Sequence, residues 1–406
     1  MSPHTKAPTT TGPLAGIRVI DMTTVFMGPS CTQYLGDLGA DVIKVEAPKG
    51  DSTRKVGPQG DLGLGPLFLG LNRNKRSIVL DLKQEAGIEA VLKLVETADV
   101  LAYNVRPAGM RRLGLGYERL AEINKGLVYA GMVGFSQRGR YAKMAAFDDM
   151  IQAASGLPTA IAQQSPDGVP RYLPTTIADR SVGIYAFGVI AAALYSRSQT
   201  GVGQAIEIPM FETMVPYVLG DHLYGHTFVP PQGGFGYPRV MSRNRRPYKT
   251  KDGYVCCLVY HDHHWKTFLG AVGKSDLLVT DPRFANIRTR TEHIDDLYQI
   301  VSDEMEKKTT AEWRQILGEG DIPVFPMHTF DSLLKDEHLA DIGFFKEVEH
   351  PTVGKILDSS VPSEWSGTPP DNHRPVPLLG EHTSEILREV GYSDAAMEEM
   401  RSSSGI

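Results

Sequence analysis

Short apolar runs alternate with amphipathic stretches through the first third of the chain. Ile17-Arg18-Val19-Ile20-Asp21 and Ala40 to Glu46 are β-rich, and Cys31 to Leu38 between them carries helical spacing. Pro48-Lys49-Gly50 closes the second run. Strand, helix and strand at this spacing predict a βαβ unit on a parallel sheet. The theme then repeats. Ser77 to Leu82 reads as a strand, and Glu85 to Ala98 puts Ile88, Val91, Leu92 and Val95 on one helical face. Asp99 to Asn104 reads as a strand, Arg112 to Ile123 as a helix and Gly126 to Met132 as a strand. Alternation sustained this far predicts an α/β protein with a Rossmann-like sheet.

Ser181 to Arg197 is apolar nearly all round and carries Gly183, Ala186, Gly188 and Ala191 before the stop at Gln199-Thr200-Gly201. A buried helix with close backbone approach is expected there. Gln204 to Pro209 predicts a further strand. Pro230 to Tyr248, rich in Gly, Pro and Arg, reads as a long loop opening a different unit. A strand at Gly253 to Val259, helices, and a Pro-bounded strand at Ile322-Pro323-Val324 predict a smaller α/β domain reaching about residue 330. No internal repeat of roughly 20–50 residues is visible.

Length and composition narrow the class. At roughly 100–200 residues per domain, 406 residues predict two or three domains. A net charge of -6 excludes a nucleic-acid clamp for the molecule as a whole. Three cysteines, with Cys256 and Cys257 adjacent, give neither a disulfide framework nor a C-x-x-C zinc pair. The apolar run from Val182 to Tyr195 falls short of the roughly 20 residues of a membrane span. The first dozen residues, polar and Thr/Pro-rich, read as a tail without the apolar region of a signal peptide. A soluble, cytoplasmic enzyme is the expectation.

Common motifs exclude more than they identify. There is no Walker A sequence and no G-x-G-x-x-G between strand and helix; at Gly63-Leu64-Gly65, Phe68 takes the third glycine's place. An NAD-dependent oxidoreductase is disfavoured accordingly. Tyr260 to Trp265 holds three histidines and an Asp, but no distant Glu/His pair completes a metal site, and the same residues suit a helix start. No metal is assigned. Cys256 and Cys257, inside an apolar strand, read as core residues. From Lys44 to Arg112 there are 12 Lys/Arg against 8 Asp/Glu, a local balance of 12 − 8 = +4. Two readings stand: a solvated sheet rim, or Arg54, Arg73, Lys75, Arg76, Arg106 and Arg112 in loops beside strand ends, suited to a phosphate-bearing ligand.

The strings LAGIRVIDMTTVFMGP (14–29), LGADVIKVEAPKGDSTR (38–54), NRNKRSIVLDLK (72–83) and NVRPAGMRRLGL (104–115) together resemble the family III CoA transferases, the group containing formyl-CoA transferase. FDDMIQAASG (147–156), ADRSVGIYAFGVIAAALYSR (178–197), YKTKDGYV (248–255), DPRFANIRTR (281–290) and PLLGEHTSEIL (377–387) extend the match in order along nearly the whole chain. The resemblance implies a large Rossmann-like domain starting at 14–229, a small domain at 230–330, and a linker and return to the large domain over 331–406. It also implies two such subunits interlocked as a homodimer. The substrates would be an acyl-CoA and a small carboxylic acid, with no permanently bound cofactor and no nucleic-acid or membrane partner.

By the same resemblance Asp179 is the nucleophile, placed before the first turn of its helix, where the dipole would favour the ionised form by about 0.3–1 kcal/mol; on the residues alone an N-cap is the favoured reading. The CoA-contact positions that match are Val25, Phe26 and Met27; Leu80, Asp81, Leu82 and Lys83; Asn104, Val105, Arg106 and Arg112; and Ala145, Ala146, Phe147 and Asp148. Gly233, Gly234 and Gly236, in Gln232 to Gly236, match a glycine loop over the acyl intermediates. Two basic residues of formyl-CoA transferase correspond here to Ala47 and Ala145, and its Gln and Trp near the acyl pocket to Phe26 and Val56, which points away from formyl or oxalate chemistry. The racemases of α-methylacyl-CoA share the fold but carry a His where Phe147 stands, and Phe cannot move a proton. A non-catalytic acyl-CoA binder is the other alternative. Succinyl-CoA with a small dicarboxylate is a pair such enzymes often use; Arg243, Arg245 and Arg246 would suit such an acid, though a solvated surface is the favoured reading for them.

Overall fold

The computed structural model describes residues 11–402 and 405–406. Residues 1–10 of the expected N-terminal tail lie outside them. Six strands form one parallel sheet: β1 (Arg18–Met22), β2 (Asp41–Glu46), β3 (Lys75–Val79), β4 (Val100–Tyr103), β5 (Val128–Val133) and β6 (Ala205–Pro209), in the order β3-β2-β1-β4-β5-β6. The chain runs outward from β1 to β3, then crosses back to β4 on the other side of β1. Loops leaving β1 and β4 therefore diverge at their carboxyl ends, which opens a crevice where parallel sheets bind ligands.

Helix α1 (Met27–Asp37) follows β1, α2 (Glu85–Val95) follows β3, and α3 (Pro107–Arg112) and α4 (Tyr117–Ile123) follow β4. One helix was expected over 112–123. Instead the chain breaks at Gly114, whose φ of +70° is a left-handed conformation that costs glycine little. On one face of the sheet Ile20, Ile43, Ile78 and Leu101 pack with Val91, Leu94, Met110 and Leu120.

After α5 (Asp148–Ala154), the helix expected over 181–197 runs as α6, Ile177–Thr200, and stops at Gly201, whose N–H donates to Arg197 O at 2.7 Å. With 24 residues and a mean hydropathy of 1.5 it is long and apolar enough, by length and composition, to cross a membrane, as core helices also are. The shortness argument from sequence is thus corrected. The expectation of burial all round is corrected too. Val182, Gly183, Ala186 and Ile190 are buried, whereas Ile184 and Tyr185 are more than half exposed and Tyr195 is 70% exposed. The buried stripe lies along α1, and a Cβ on Gly183 would stand 2.2 Å from Ser30 Oγ and 2.8 Å from Met27 O. Glycine there lets the two helices touch.

Two compact units divide the described chain: one holds residues up to Ser155, Leu173–Met214 and His338–Ile406, the other Gly156–Tyr172 and Val215–Glu337. The second is built on an antiparallel sheet of β7 (Tyr248–Lys249), β8 (Tyr254–Cys257) and β9 (Val324–Pro326). Helices α7 (Asp262–Ala271), α8 (Ile294–Met305) and α9 (Thr310–Glu319) enclose Trp265, Phe268, Leu297, Val301 and Trp313. Cys257 is partly buried, and burial pushes its thiol up to about 12. Cys256 is exposed, contrary to the core reading, because successive strand residues face opposite ways.

The return segment forms a hairpin, β10 (Phe345–His350) with β11 (Gly354–Ser359), and a helix, α10 (Thr383–Glu389), both in the first unit. Its approach to β3 is fixed by His382 N–H on Ser77 O at 2.9 Å and Gly380 N–H on Ser77 Oγ at 2.9 Å.

Candidate active site

Beneath the loop after β1 lies a closed set of buried charges. One Asp21 carboxylate oxygen accepts from Thr23 N–H at 2.9 Å and the Thr23 hydroxyl at 2.5 Å. The other accepts from the Thr32 hydroxyl at 2.7 Å and Lys75 Nζ at 3.0 Å. Lys44 Nζ donates to Thr23 O at 2.8 Å and to Asp51 at 3.3 Å, and Asp51 accepts the Val25 N–H at 3.1 Å. Asn104, just past β4, brackets Thr24 with bonds of 3.0 and 2.8 Å to its N–H and C=O. Burial opposes charge on Asp21, but Lys75, Lys44 and the two hydroxyls hold its carboxyl well below the usual range. Burial also brings the Lys75 ammonium down to about 8, with Asp21 resisting. Thr23, Thr24 and Val25 are thus each gripped by a side chain. The grip holds Val25 at φ +72°, a conformation a β-branched residue rarely adopts.

That loop walls a cavity of about 280 Å³ at the carboxyl ends of β1, β4, β5 and β6, inside the first unit. Its lining is mainly apolar: Val25, Phe26, Met27, Met132, Val133, Phe135, Met144, Ala145, Ala146, Phe147 and Met210, with Asn104, Arg106, Gln137 and Asp179 among the polar groups. Asp179 sits in the first turn of α6, three residues past the N-cap Thr176, rather than before the helix. Its N–H donates to Asp148 at 3.0 Å, and the other Asp148 oxygen accepts from Gln152 Nε2 at 2.6 Å. Burial first, and then the charge of Asp148, push the Asp179 carboxyl up to about 7, against the pull of Arg180. The net shift runs against the direction in which the helix dipole was expected to favour it: desolvation and a second carboxylate outweigh a term of about 0.3–1 kcal/mol.

The cavity wall brings together Val25, Phe26, Met27, Asn104, Val105, Arg106, Ala145, Ala146, Phe147 and Asp179, from four separate stretches of sequence. Asp148 stands behind Asp179 and Arg112 is exposed on α3. Leu80 is fully buried in the core, Asp81 Oδ1 accepts the Lys83 N–H, and Leu82 is partly buried. None of Leu80, Asp81, Leu82, Lys83, Arg112 and Asp148 is part of the lining. Gly233, Gly234 and Gly236 belong to the second unit, where Gly225 N–H donates to Gly234 O at 3.1 Å and Phe235 stacks on His226 at 3.7 Å. Sequence reading did not single out Thr24, Met132, Val133, Phe135 or Met210. Their one local signal is a position at or just past a predicted strand end.

Most of the basic residues proposed for phosphate are engaged elsewhere, which corrects that reading. Arg54 pairs with Glu46 at 2.6 Å, Arg73 with Asp37 at 2.8 Å and Asp358 at 2.9 Å, Lys75 with Asp21, and Arg76 with Asp41, Glu385 and Glu389 at 2.6–2.9 Å. They are buried in β3, the turn before it and the first turn after β2, where an unpaired charge would be very unfavourable. Arg106 and Arg112 remain exposed.

A larger cavity of about 400 Å³ in the second unit is lined by Arg243, His293, Asp295 and Asp296, but Asp295 is committed to the Ser242 hydroxyl at 2.6 Å and to Asn244. Arg245 and Arg246 are exposed. His261 caps α7, and His264 Nδ1 accepts the N–H groups of Tyr260 and His261. Among the described residues no cluster of three or more His, Cys, Asp or Glu is arranged to hold a metal ion.

A half-buried carboxylate with a raised pKa, facing an apolar cleft at the switch point of a parallel sheet, has the makings of a nucleophile or base acting on a small organic substrate. Comparison narrows the class. The family model of CoA-transferase family III matches residues 14–383. The chain is 31% identical to the human succinyl-CoA:glutarate CoA-transferase over 96% of this chain and 89% of that one. It is 32% identical to formyl-CoA:oxalate CoA-transferase of Escherichia coli O157:H7 over 97% and 99%. The crystal structure of Rv3272 from M. tuberculosis superposes with a TM-score of 0.79 at 28% identity, over 93% of this chain and 99% of that one. The protein belongs to CoA-transferase family III, and it is a CoA-transferase.

Proposed function

We propose that the protein moves coenzyme A from an acyl-CoA to a carboxylic acid through covalent intermediates on Asp179. The supporting observation is a carboxylate raised to about 7 in the wall of the cavity that also gathers Val25, Phe26, Met27, Asn104 and Arg106. An Asp179 oxygen attacks the thioester carbonyl, the C–S bond breaks, and CoA thiolate leaves a mixed anhydride. The thiolate attacks the Asp179 carbonyl carbon, releasing the donor acid and leaving an aspartyl-CoA thioester. The acceptor carboxylate then attacks that thioester, and the thiolate released attacks the acceptor's acyl carbon, which forms the new acyl-CoA and frees Asp179. One thioester is broken and one is made, so no external energy source is needed, and each step has a good leaving group.

The reading includes a Rossmann-like large domain, with 156–172 and 215–229 grouped with the small one, and an interlocked homodimer that would cover the exposed side of α6. Three unpaired cysteines suit a reducing, cytoplasmic setting. The relatives' substrates, succinyl-CoA, glutarate, formyl-CoA and oxalate, define the first panel to assay. Incubation with an acyl-CoA followed by hydroxylamine is expected to give a hydroxamate on the peptide carrying Asp179, read by mass; an unmodified peptide with turnover intact would remove the covalent route. A racemase would instead incorporate deuterium at the α carbon, and none is expected with the exposed Phe147 ahead of Asp148.

The nucleophile must be ionised, so kcat/KM is expected to rise with pH through about 7 and level off above it. Asp148→Asn removes the negative neighbour and is expected to shift that rise to lower pH. A profile unmoved by the substitution would mean that another group controls the limb.

A further inference from the structure

Resting on that reading, we propose that Gln137 binds the substrate: its side-chain oxygen accepts the N–H of the pantetheine amide nearest the thioester sulfur and so keeps that sulfur beside Asp179. Gln137 and Asp179 line the same cavity, inside the first unit. Gln137 follows β5 in a turn tied down from several sides. Its own N–H and the Ser136 hydroxyl donate to Glu207 at 3.0 and 2.9 Å, and the Ser136 N–H donates to Glu212 at 3.0 Å. Phe135 and Tyr141, before and after it in sequence, meet edge to face at 5.4 Å.

Within that turn the side-chain amide has one satisfied orientation. Nε2 donates to Phe135 O at 3.0 Å and to Ala142 O at 3.3 Å, so main-chain carbonyls take both of its protons. Turning the amide over would set its oxygen against those two carbonyls. Among the described residues no N–H or O–H donates to Gln137 Oε1. The half-buried side chain therefore offers the cavity a fixed acceptor with no donor left to give.

The rest of the lining makes that oxygen matter. Asn104, the other amide on the wall, has its oxygen and its nitrogen both committed to Thr24. Arg106 only donates, and the walls are otherwise mainly Met, Val, Phe and Ala, with the Thr24 hydroxyl as a second, freely rotating acceptor. A ligand N–H carried between such walls loses its water and needs an acceptor, or the complex bears the full desolvation penalty. An ionised carboxylate brings no donor of its own. Every acyl-CoA brings one: the amide N–H two carbons from the sulfur, whatever the acyl group. The pantetheine arm is also the part that has to stay in place. Between the first and second steps the sulfur is bonded to neither acyl carbon, and it must then attack at Asp179. A fixed hydrogen bond close to the sulfur holds it within reach.

Succinyl-CoA and an analogue in which an ester oxygen replaces that one N–H test this, with wild type, Gln137→Met and Gln137→Glu. The rate read is covalent labelling of Asp179 at limiting thioester, trapped with hydroxylamine and followed by mass. Wild type is expected to favour the amide by about 5–50-fold, the scale of a buried N–H left without its acceptor. Gln137→Met should erase that preference while changing the rate with the ester analogue by less than about threefold. Gln137→Glu, which keeps an acceptor at the position, should retain it. Equal rates from the two thioesters in wild type, equal losses for both in Gln137→Met, or a preference that survives Gln137→Met and disappears in Thr24→Val would overturn the assignment. The wild-type comparison can do so even if a variant fails to fold. The parent mechanism stays separate: an adduct formed equally fast from both thioesters sinks only the role of Gln137, whereas no adduct from succinyl-CoA sinks the nucleophile itself.

Discussion

Asp179→Ala is expected to lower kcat for CoA transfer by a factor on the order of 10³ or more, while the Kd for CoA stays within about threefold of wild type. The expectation is asymmetric because the side chain and the backbone of this residue do different work. The Asp179 N–H holds Asp148, and alanine keeps that bond. Alanine is also the best helix former, so the first turn of α6 is preserved. What disappears is the carboxylate, which no other group on the cavity wall can replace: Asn104 and Gln137 are amides and Arg106 is a cation. Removing a partly buried carboxylate with a raised pKa also removes repulsion with Asp148, so the variant should melt no lower than wild type. Steady-state rates, calorimetric CoA binding and a thermal melt on one preparation check all three. Loss of binding in proportion to loss of rate would mark Asp179 as a structural residue.

The parallel alternation was legible because each strand is a short apolar run bounded by polar turns, and the buried hydrophobic positions follow from that pattern alone. β3 shows where this stops. It was expected over 77–82 and runs Lys75–Val79, because the pattern treats Lys75 and Arg76 as exposed and they are buried against partners. Those partners lie far away in sequence: Asp21 for Lys75, and Asp41, Glu385 and Glu389 for Arg76. A local window sees only charge, and so it offered a solvated rim or a ligand for residues that instead close the fold. Asp179 and the β1 loop were reached through family resemblance. The raised pKa of Asp179 was not, since desolvation and Asp148 act on it only after folding. The exposed side of α6 was misread for a related reason: an apolar sequence shows that a surface avoids water, without saying what covers it.

The second large effect concerns the charges under the β1 loop. Lys75→Met leaves Asp21 buried with only hydroxyl and amide partners and with Lys44 more distant, while Asp21→Asn leaves Lys75 without its carboxylate. Each single change is expected to cost about 3–5 kcal/mol, the usual penalty for an unpaired buried charge. The double variant should cost less than the sum, with a coupling of up to about 3 kcal/mol, because neither charge is then stranded. Hydrogen exchange of the β1 and β3 amides, followed by mass spectrometry with denaturant, isolates the first unit from the second. Function separates two roles for the network. If its purpose is to hold Thr23 and Val25 in the cavity wall, the double variant recovers stability and still shows a raised KM for acyl-CoA, because Thr23 has lost a fully charged acceptor. Recovery of both would reduce the network to a packing device, and additive losses would mean that Asp21 and Lys75 act independently.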